Sequence, residues 1–223
     1  MSSPAPSRSP RILLIAAVAL VVGWFVWDNS IKPNLFPKNF GVVVAGQIYR
    51  SGELTPAAFR KVVQENAIKT VVDLGTWPEG SDGDRREQRS AEALGVTRYR
   101  FSLSGDGTGN PNYYVQTLRL MNDPARRPIL VHCGAGSERT GCAVILYRHL
   151  VEGKPIAEAF PEATEHRHNP GRNPKMLIML AEWGDAIARA FRDGGQIPGV
   201  APAPEAAPVD LRAASSTPGA GPS

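Results

Sequence analysis

The sequence predicts an α/β protein: a single domain with a central, mainly parallel sheet flanked by helices, plus an N-terminal transmembrane helix. Three observations point to it. Short apolar or alternating runs, Lys69–Leu74 (KTVVDL), Thr97–Leu103 and Pro128–His132 (PILVH), take turns with amphipathic helical stretches, and strand alternating with helix builds a parallel sheet covered on both faces. An uncharged run from Ile12 to Trp27 lies near the amino terminus. The length, 223 residues at 42% hydrophobic and 21% charged, suits one domain with appendages and is too apolar for a wholly disordered chain. Two cysteines exclude a disulfide-built scaffold. The net charge of +4 fits an anionic substrate or a membrane surface as well as nucleic acid.

Residues 1–10 form a Ser/Pro-rich N-terminal segment, and a transmembrane signal-anchor is expected over 11–28. Its 16 uncharged residues sit at the short edge of the ~17–25 that cross a bilayer core. Trp24 and Trp27 are placed for the interfacial belt, with Asp28 at the exit. A cleaved signal peptide has the same basic start and apolar middle, although Ala17-Val18-Ala19 comes too early for a cleavage site and Val21-Val22-Gly23 is a weak one. Arg8, Arg11 and the amino terminus before the span, against Lys32 and Lys38 after it, favour an inside N-terminus by one charge. The result would be a single-pass membrane protein with its body on the outer side.

The body is expected over 39–194. Thr55-Pro56 reads as an N-cap followed by proline at the first helical position, and Phe59, Val62 and Val63 recur at helical spacing until the helix ends near Asn66. The strand Lys69–Leu74 follows, then a helix from Gln88 to Leu94 stopped by Gly95. After the alternating strand Thr97–Leu103 comes a helix from Asn110-Pro111 through Met121, then the strand Pro128–His132 and an apolar helix from Gly141 to Val151. Asn173-Pro174 opens the last long helix, with Leu177, Leu180, Ala181, Ile187 and Phe191 on its buried side. Residues 195–223 hold few large apolar side chains and are expected as a disordered tail.

The chemistry concentrates in His132-Cys133-Gly134-Ala135-Gly136-Ser137-Glu138-Arg139-Thr140-Gly141, where a buried strand ends, a glycine-rich turn follows and a helix begins. Successive backbone N–H groups of such a loop point inward and the helix N-terminus adds partial positive charge, so a phosphate fits without any special side chain. The same dipoles favour thiolate over thiol at Cys133. Arg139, at the far end, offers a planar guanidinium able to grip two phosphate oxygens. A nucleophile facing a clamp describes phosphoryl transfer to sulfur. A nucleotide-binding loop does not fit, because no Lys follows the glycines.

This segment resembles the signature loop, HCxxGxxRTG, of the cysteine-dependent protein tyrosine and dual-specificity phosphatases. Ile48-Tyr49-Arg50-Ser51-Gly52, with the Thr-Pro helix and KTVVDL after it, is similar to the opening of the small, atypical members, and Asn173-Pro174-Lys175-Met176 resembles the start of their final helix. The resemblance covers most of 39–194 and implies a tyrosine/dual-specificity phosphatase-like domain. It implies hydrolysis of phosphate monoesters, phosphotyrosine and also phosphoserine or phosphothreonine, through a phosphocysteine, with no metal and no other cofactor. Residue by residue, Cys133 would be the nucleophile and Arg139 the binder of phosphate and transition state. The backbone of Gly134, Ala135, Gly136, Ser137, Glu138 and Arg139 would bind phosphate. Thr140 would help the thiolate leave, and His132 would order the loop and tune the cysteine.

A general acid is also needed, to protonate the leaving oxygen as the P–O bond breaks. Asp106, in the loop Ser104–Gly109 and 27 residues before Cys133, stands about where the family carries it. Glu138 is its rival, since some phosphoinositide phosphatases with a similar loop carry an acidic residue there; otherwise Glu138 faces solvent or pairs with Arg85, Arg86 or Arg172. Asp82 and Asp84, after KTVVDL, are further candidates. Ala135, Gly136 and Ser137 are small and neutral, which argues against a highly charged inositol substrate, although His166, Arg167, His168, Arg172 and Lys175 could supply charge from a neighbouring loop. The expected partners are therefore a phosphorylated protein or a phospholipid, and the membrane through the N-terminal helix, with no nucleic acid. Cys142 reads as packing rather than as a redox partner of Cys133. An inactive phospho-binding scaffold is the competing reading, and a rhodanese-like sulfur carrier is disfavoured because its loop lacks the Arg-Thr-Gly helix start.

Overall fold

In the computed structural model the chain enters as helix α1 (Pro10–Val26), passes through a π-turn at Trp27–Ile31 and reaches helix α2 (Lys32–Leu35). The structure describes residues 10–204 and 206–209, so Arg8 of the charge count and the end of the expected tail lie outside the described residues. Leu14–Leu35 is long and apolar enough to cross a membrane, and none of it is buried. The apolar helix thus runs seven residues past the expected exit at Asp28, carried through by the π-turn. Its end is fastened to the body, where Asn34 Oδ1 accepts from the Thr55 hydroxyl at 2.6 Å and Lys61 Nζ donates to the Leu35 carbonyl at 3.3 Å.

Strands β1 (Gly41–Val44), β2 (Ile48–Ser51), β3 (Thr70–Asp73), β4 (Thr97–Arg100) and β5 (Ile129–His132) form one sheet in the order β1-β2-β5-β3-β4. The four strands β2, β5, β3 and β4 run parallel, and β1 joins the edge antiparallel. Side chains alternate between the faces. Tyr49, Val71 and Leu130 meet helices α3 (Pro56–Glu65) and α4 (Asp82–Ala93), whereas Ile48, Val72, Ile129 and Val131 meet the larger core under the remaining helices. Those are α5 (Pro111–Asn122), α6 (Glu138–Leu150), α7 (Ile156–Glu165) and α8 (Lys175–Asp193). Ser51, His132 and Asp73 are in register at the carboxyl ends of β2, β5 and β3. The loop after β5 therefore leaves the centre of the sheet at its carboxyl edge, where open α/β sheets gather ligands.

Within the body and the segment after it, the structure departs from the sequence reading in five places. Helix α4 begins at Asp82, capped by Ser81, rather than at Gln88. Its buried face carries Asp84 and Gln88 beside Ala91, so hydrophobic periodicity had nothing to register. The β1–β2 hairpin and α7 were not expected, because β1 is a short edge strand and α7 contains Pro161. In α8 the buried face runs through Met176, Met179, Leu180 and Ile187, leaving Leu177 and Ala181 exposed and Phe191 half-buried. The segment after α8 is docked over its described residues, contrary to the expected disorder. Ile197 and Ala203 are buried, Asn112 Oδ1 accepts from Ile197 N at 2.7 Å, and Asn110 donates to the Ala201 carbonyl at 2.7 Å. Val209 N then reaches the Arg98 carbonyl of edge strand β4 at 2.9 Å. Asparagine side chains and a strand edge hold this segment, and neither requires an apolar run in the segment itself.

Candidate active site

The loop Cys133–Ser137 bends between β5 and α6 around the sulfur of Cys133, which is 1% exposed. Gly136 N donates to Cys133 Sγ at 3.2 Å. Gly136 has φ +76°, and a Cβ there would lie 2.5 Å from Gly52 N, so a glycine is required where the loop presses on the end of β2. Burial pushes the Cys133 thiol up, but the Arg139 guanidinium, the Thr140 hydroxyl and N–H, and the Gly136 N–H outweigh it, so the thiol is lowered on balance. The buried Thr140 hydroxyl is left without a hydrogen-bond partner among the described residues, free to turn to the sulfur. Arg139 donates to the carbonyls of Leu74 and Gly75, at 2.9 Å for Leu74, which fixes its guanidinium across the mouth of the loop. An open cleft borders it, lined by Thr76, Trp77, Ser102, Leu103 and Gly105.

Three side chains and one backbone N–H outside the signature grip the loop from behind. Lys38 Nζ and Glu53 N donate to the Gly134 carbonyl at 2.8 and 3.1 Å, Asn39 Nδ2 to the Ala135 carbonyl at 3.3 Å, and the fully buried Arg50 to the Gly136 carbonyl at 2.9 Å. Sequence reasoning assigned none of them a role. In the sequence Arg50 belongs only to the stretch that resembles the family's opening, and Lys38 only to the charges flanking the span. Nothing in their local pattern could have revealed it, since each side chain acts alone across 86 to 96 residues of sequence.

His132 points away from the sulfur into a buried ionic network. Its Nε2 lies 2.8 Å from Glu87 Oε1. Arg98 bridges Asp73, Asp84 and Glu87 at 2.6, 2.8 and 3.2 Å. Burial pulls the His132 imidazole down, but Glu87 and then Asp73 raise it to about 9, so it is a cation at neutral pH. Asp73, Glu87 and His132 could offer three metal ligands within 4.8 Å of one another. The Arg98 guanidinium already occupies that position as the counter-charge, so the donor set does not fit a cation.

The candidate acids separate clearly. Asp82 is exposed and pairs with Arg85, and Asp84 is buried in the Arg98 network, so both lie outside the cleft. Glu138 does reach the loop, yet its carboxylate pairs at 2.7 Å with the buried His168 rather than with solvent or an arginine. That pair also takes His168 out of the expected basic cluster, and Lys175 leaves it by bonding Asp106 at 2.9 Å. Arg167 and Arg172 remain as its exposed cations. Asp106 sits in the loop whose Gly107 packs against Glu138 and Met176. Thr108 first, and then Lys175, hold its carboxyl down at about 2, so in this conformation it is an ionised acceptor. Cys142 is buried, and burial, moderated by Tyr114, pushes its thiol up to about 12. That makes it an inert packing residue.

Comparison with known proteins places this geometry among relatives. Residues 34–169 match a family model described as a tyrosine phosphatase family. The inositol diphosphatase SIW14 of Saccharomyces cerevisiae is 30% identical over 123 residues, 53% of this chain and 42% of that protein. The inositol diphosphatase DSP3 of Arabidopsis thaliana is 31% identical over 113 residues, 48% of this chain and 52% of that protein. The chain thus spans about half the length of these relatives. The crystal structure of the SIW14 core catalytic domain superposes with a TM-score of 0.57 at 23% identity, covering 71% of this chain and 94% of that one. Pseudomonas aeruginosa TpbA, a cysteine variant in complex with phosphotyrosine, superposes at 0.58 with 20% identity, covering 74% and 96%. At these identities the two structures carry the fold.

Proposed function

Starting from a chain that belongs to the tyrosine phosphatase family, we propose that it hydrolyses phosphate monoesters through a phosphocysteine on Cys133. The observation that carries this reading is the buried Cys133 sulfur. Loop N–H groups, Thr140 and Arg139 favour its thiolate at the carboxyl edge of the sheet. The thiolate attacks phosphorus while the P–O bond to the leaving group breaks, and a carboxylic acid delivers a proton to that oxygen. Arg139 and the loop N–H groups hold the equatorial oxygens as charge develops on them. Water then attacks the phosphocysteine, the carboxylate takes its proton, and the Thr140 hydroxyl stabilises the departing thiolate. His132 orders the loop from the network side. None of these steps calls for a metal.

Asp106 is the proposed acid, because Gly105 of its loop lines the cleft beside Arg139. The ion pair with Lys175 then describes a resting position, which substrate binding must break for Asp106 to gain a proton. Asp106→Asn should lower kcat strongly for alkyl phosphates and little for aryl phosphates with acidic phenols; an equal loss across leaving groups would pass the role to Glu138. Lys175→Met should move the alkaline limb of kcat upward in pH, because Asp106 loses a partner that keeps it ionised and so holds its proton to higher pH.

Phosphotyrosine-like monoesters are the favoured substrates, because the cradle's own side chains, Ala135 and Ser137, carry no charge. The cleft residue Arg100 is also already engaged, by Glu79 and by the Trp77 carbonyl. TpbA has been crystallised with phosphotyrosine. A second reading, an inositol diphosphate, is supported by relatives about 30% identical that are named for that activity. Phosphate release from p-nitrophenyl phosphate, a phosphotyrosine peptide and an inositol diphosphate, compared by kcat/KM in one preparation, separates them. Preference for the diphosphate would overturn the first reading.

Leu14–Leu35 supports a single-pass anchor, since 22 residues at ~1.5 Å each span ~33 Å against a ~30 Å hydrocarbon core. Resistance to carbonate extraction in membranes expressing the full chain is the expected result. Release of a shortened protein would mark a cleaved signal instead.

A further inference from the structure

We infer that Lys38, Asn39 and Arg50 are positioning residues of the anion cradle: they grip its carbonyls from outside and so turn the paired N–H groups inward. In a trans peptide the C=O of one residue and the N–H of the next point in opposite directions. Holding the Gly134 carbonyl outward with Lys38 and Glu53 N therefore aims Ala135 N–H into the loop. Asn39 on the Ala135 carbonyl aims Gly136 N–H, and Arg50 on the Gly136 carbonyl aims Ser137 N–H. The middle case is visible directly, because Gly136 N does reach Cys133 Sγ.

The grip is itself braced. The Lys38 carbonyl accepts from Gly52 N at 2.7 Å, tying the segment to the end of β2. Asn39 adopts φ +51°, a left-handed conformation that asparagine tolerates, and its amide also donates to the His166 carbonyl at 2.8 Å. Arg50 stays charged despite burial lowering it to about 10, with Glu162 at 3.8 Å as counter-ion. Lys38 and Asn39 follow Leu35, the end of the apolar helix, by only three and four residues. The end of the apolar helix and the outer grip on the cradle therefore lie next to each other along the chain.

The inference rests on the loop being a phosphate cradle, so its test measures the thiol and the anion separately from turnover. Cys133 alkylation by iodoacetamide is followed against pH in the full-length chain in detergent, with and without inorganic phosphate, for wild type, Lys38→Met, Lys38→Arg and Asn39→Ala. Tryptic cleavage after Arg139 puts Cys133 and Cys142 on different peptides. The charged and titratable groups facing Cys133 are Arg139 from α6, Arg50 from β2 and Tyr114 from α5, and none of them is altered. Lys38→Met should weaken phosphate protection about tenfold, the worth of one charge-assisted hydrogen bond, and move the alkylation midpoint upward. Asn39→Ala should do the same to a smaller extent, and Lys38→Arg should restore both readouts. Unchanged protection and midpoint in Lys38→Met and Asn39→Ala, with wild type protected, would overturn the positioning role alone. A wild-type Cys133 that is neither acidic nor protected by phosphate would overturn the phosphatase reading and this one with it.

Discussion

Replacing Cys133 by serine is expected to reduce hydrolysis of p-nitrophenyl phosphate and phosphotyrosine peptide by about 10⁵ or more, the scale on which losing a nucleophile acts in hydrolases. Binding of the phosphopeptide should persist. The N–H groups, Arg139 and Thr140 that lower a thiol cannot ionise an alcohol, whose proton is held far more tightly. They still surround the phosphate. Because the side chain is buried and the exchange is nearly isosteric, the melting temperature should move by no more than about 2 °C. Steady-state kinetics, titration calorimetry with the phosphopeptide and a thermal melt on one preparation check all three statements. If wild type and variant bind equally and neither hydrolyses any substrate, the chain is a phospho-binding scaffold.

Arg98→Met should produce the largest loss of stability, about 3–5 kcal/mol, the usual result of removing one partner from a buried ion pair. In a domain of this size that lowers the melting temperature by roughly 10 °C. Arg98 is fully buried and holds Asp73, Asp84 and Glu87, so its removal leaves three carboxylates to Arg100 and His132. Burial pushes Asp73 up, but His132, Arg98 and Thr76 draw it below its ordinary value. The same network gives wild type a pH signature. His132 is raised from 6.5 to about 9, so its contribution is complete below pH 6.5 and is lost as pH rises through 9. Asp73 is lowered, so its contribution is present above the ordinary aspartate pKa and is lost as pH falls below it. Stability measured by denaturant melts should therefore form a plateau in mildly acidic solution and decline toward pH 9. A curve that is flat from pH 6 to 10 would remove His132 from the network as a cation.

The expected fold class holds because three of the four parallel strands are apolar or alternating runs bounded by clear helix starts at Thr55, Asn110 and Pro174, and such signals are local. What escaped the sequence was held by polar groups. Helix α4 buries Asp84 and Gln88, the segment after α8 docks through Asn110 and Asn112, and β1 is a short edge strand. A hydrophobic pattern cannot report any of these, because their stability comes from partners elsewhere in the chain.

The same division runs through the candidate site. Cys133, the loop N–H groups, Arg139 and Thr140 come from one unbroken decapeptide whose strand, turn and helix start are dictated locally, so the sequence by itself determined the cradle and the family. The tertiary structure alone decided what surrounds it. Pairing of β2 with β5 brings Arg50 and the Lys38–Asn39 segment behind the loop. Pairing of β3 with β5 and β4 gathers Asp73, Arg98 and His132 into one network, and the packing of α8 sets Lys175 on Asp106. Each of those contacts joins single polar residues far apart in sequence, and their energies exist only once the sheet has closed the distance between them.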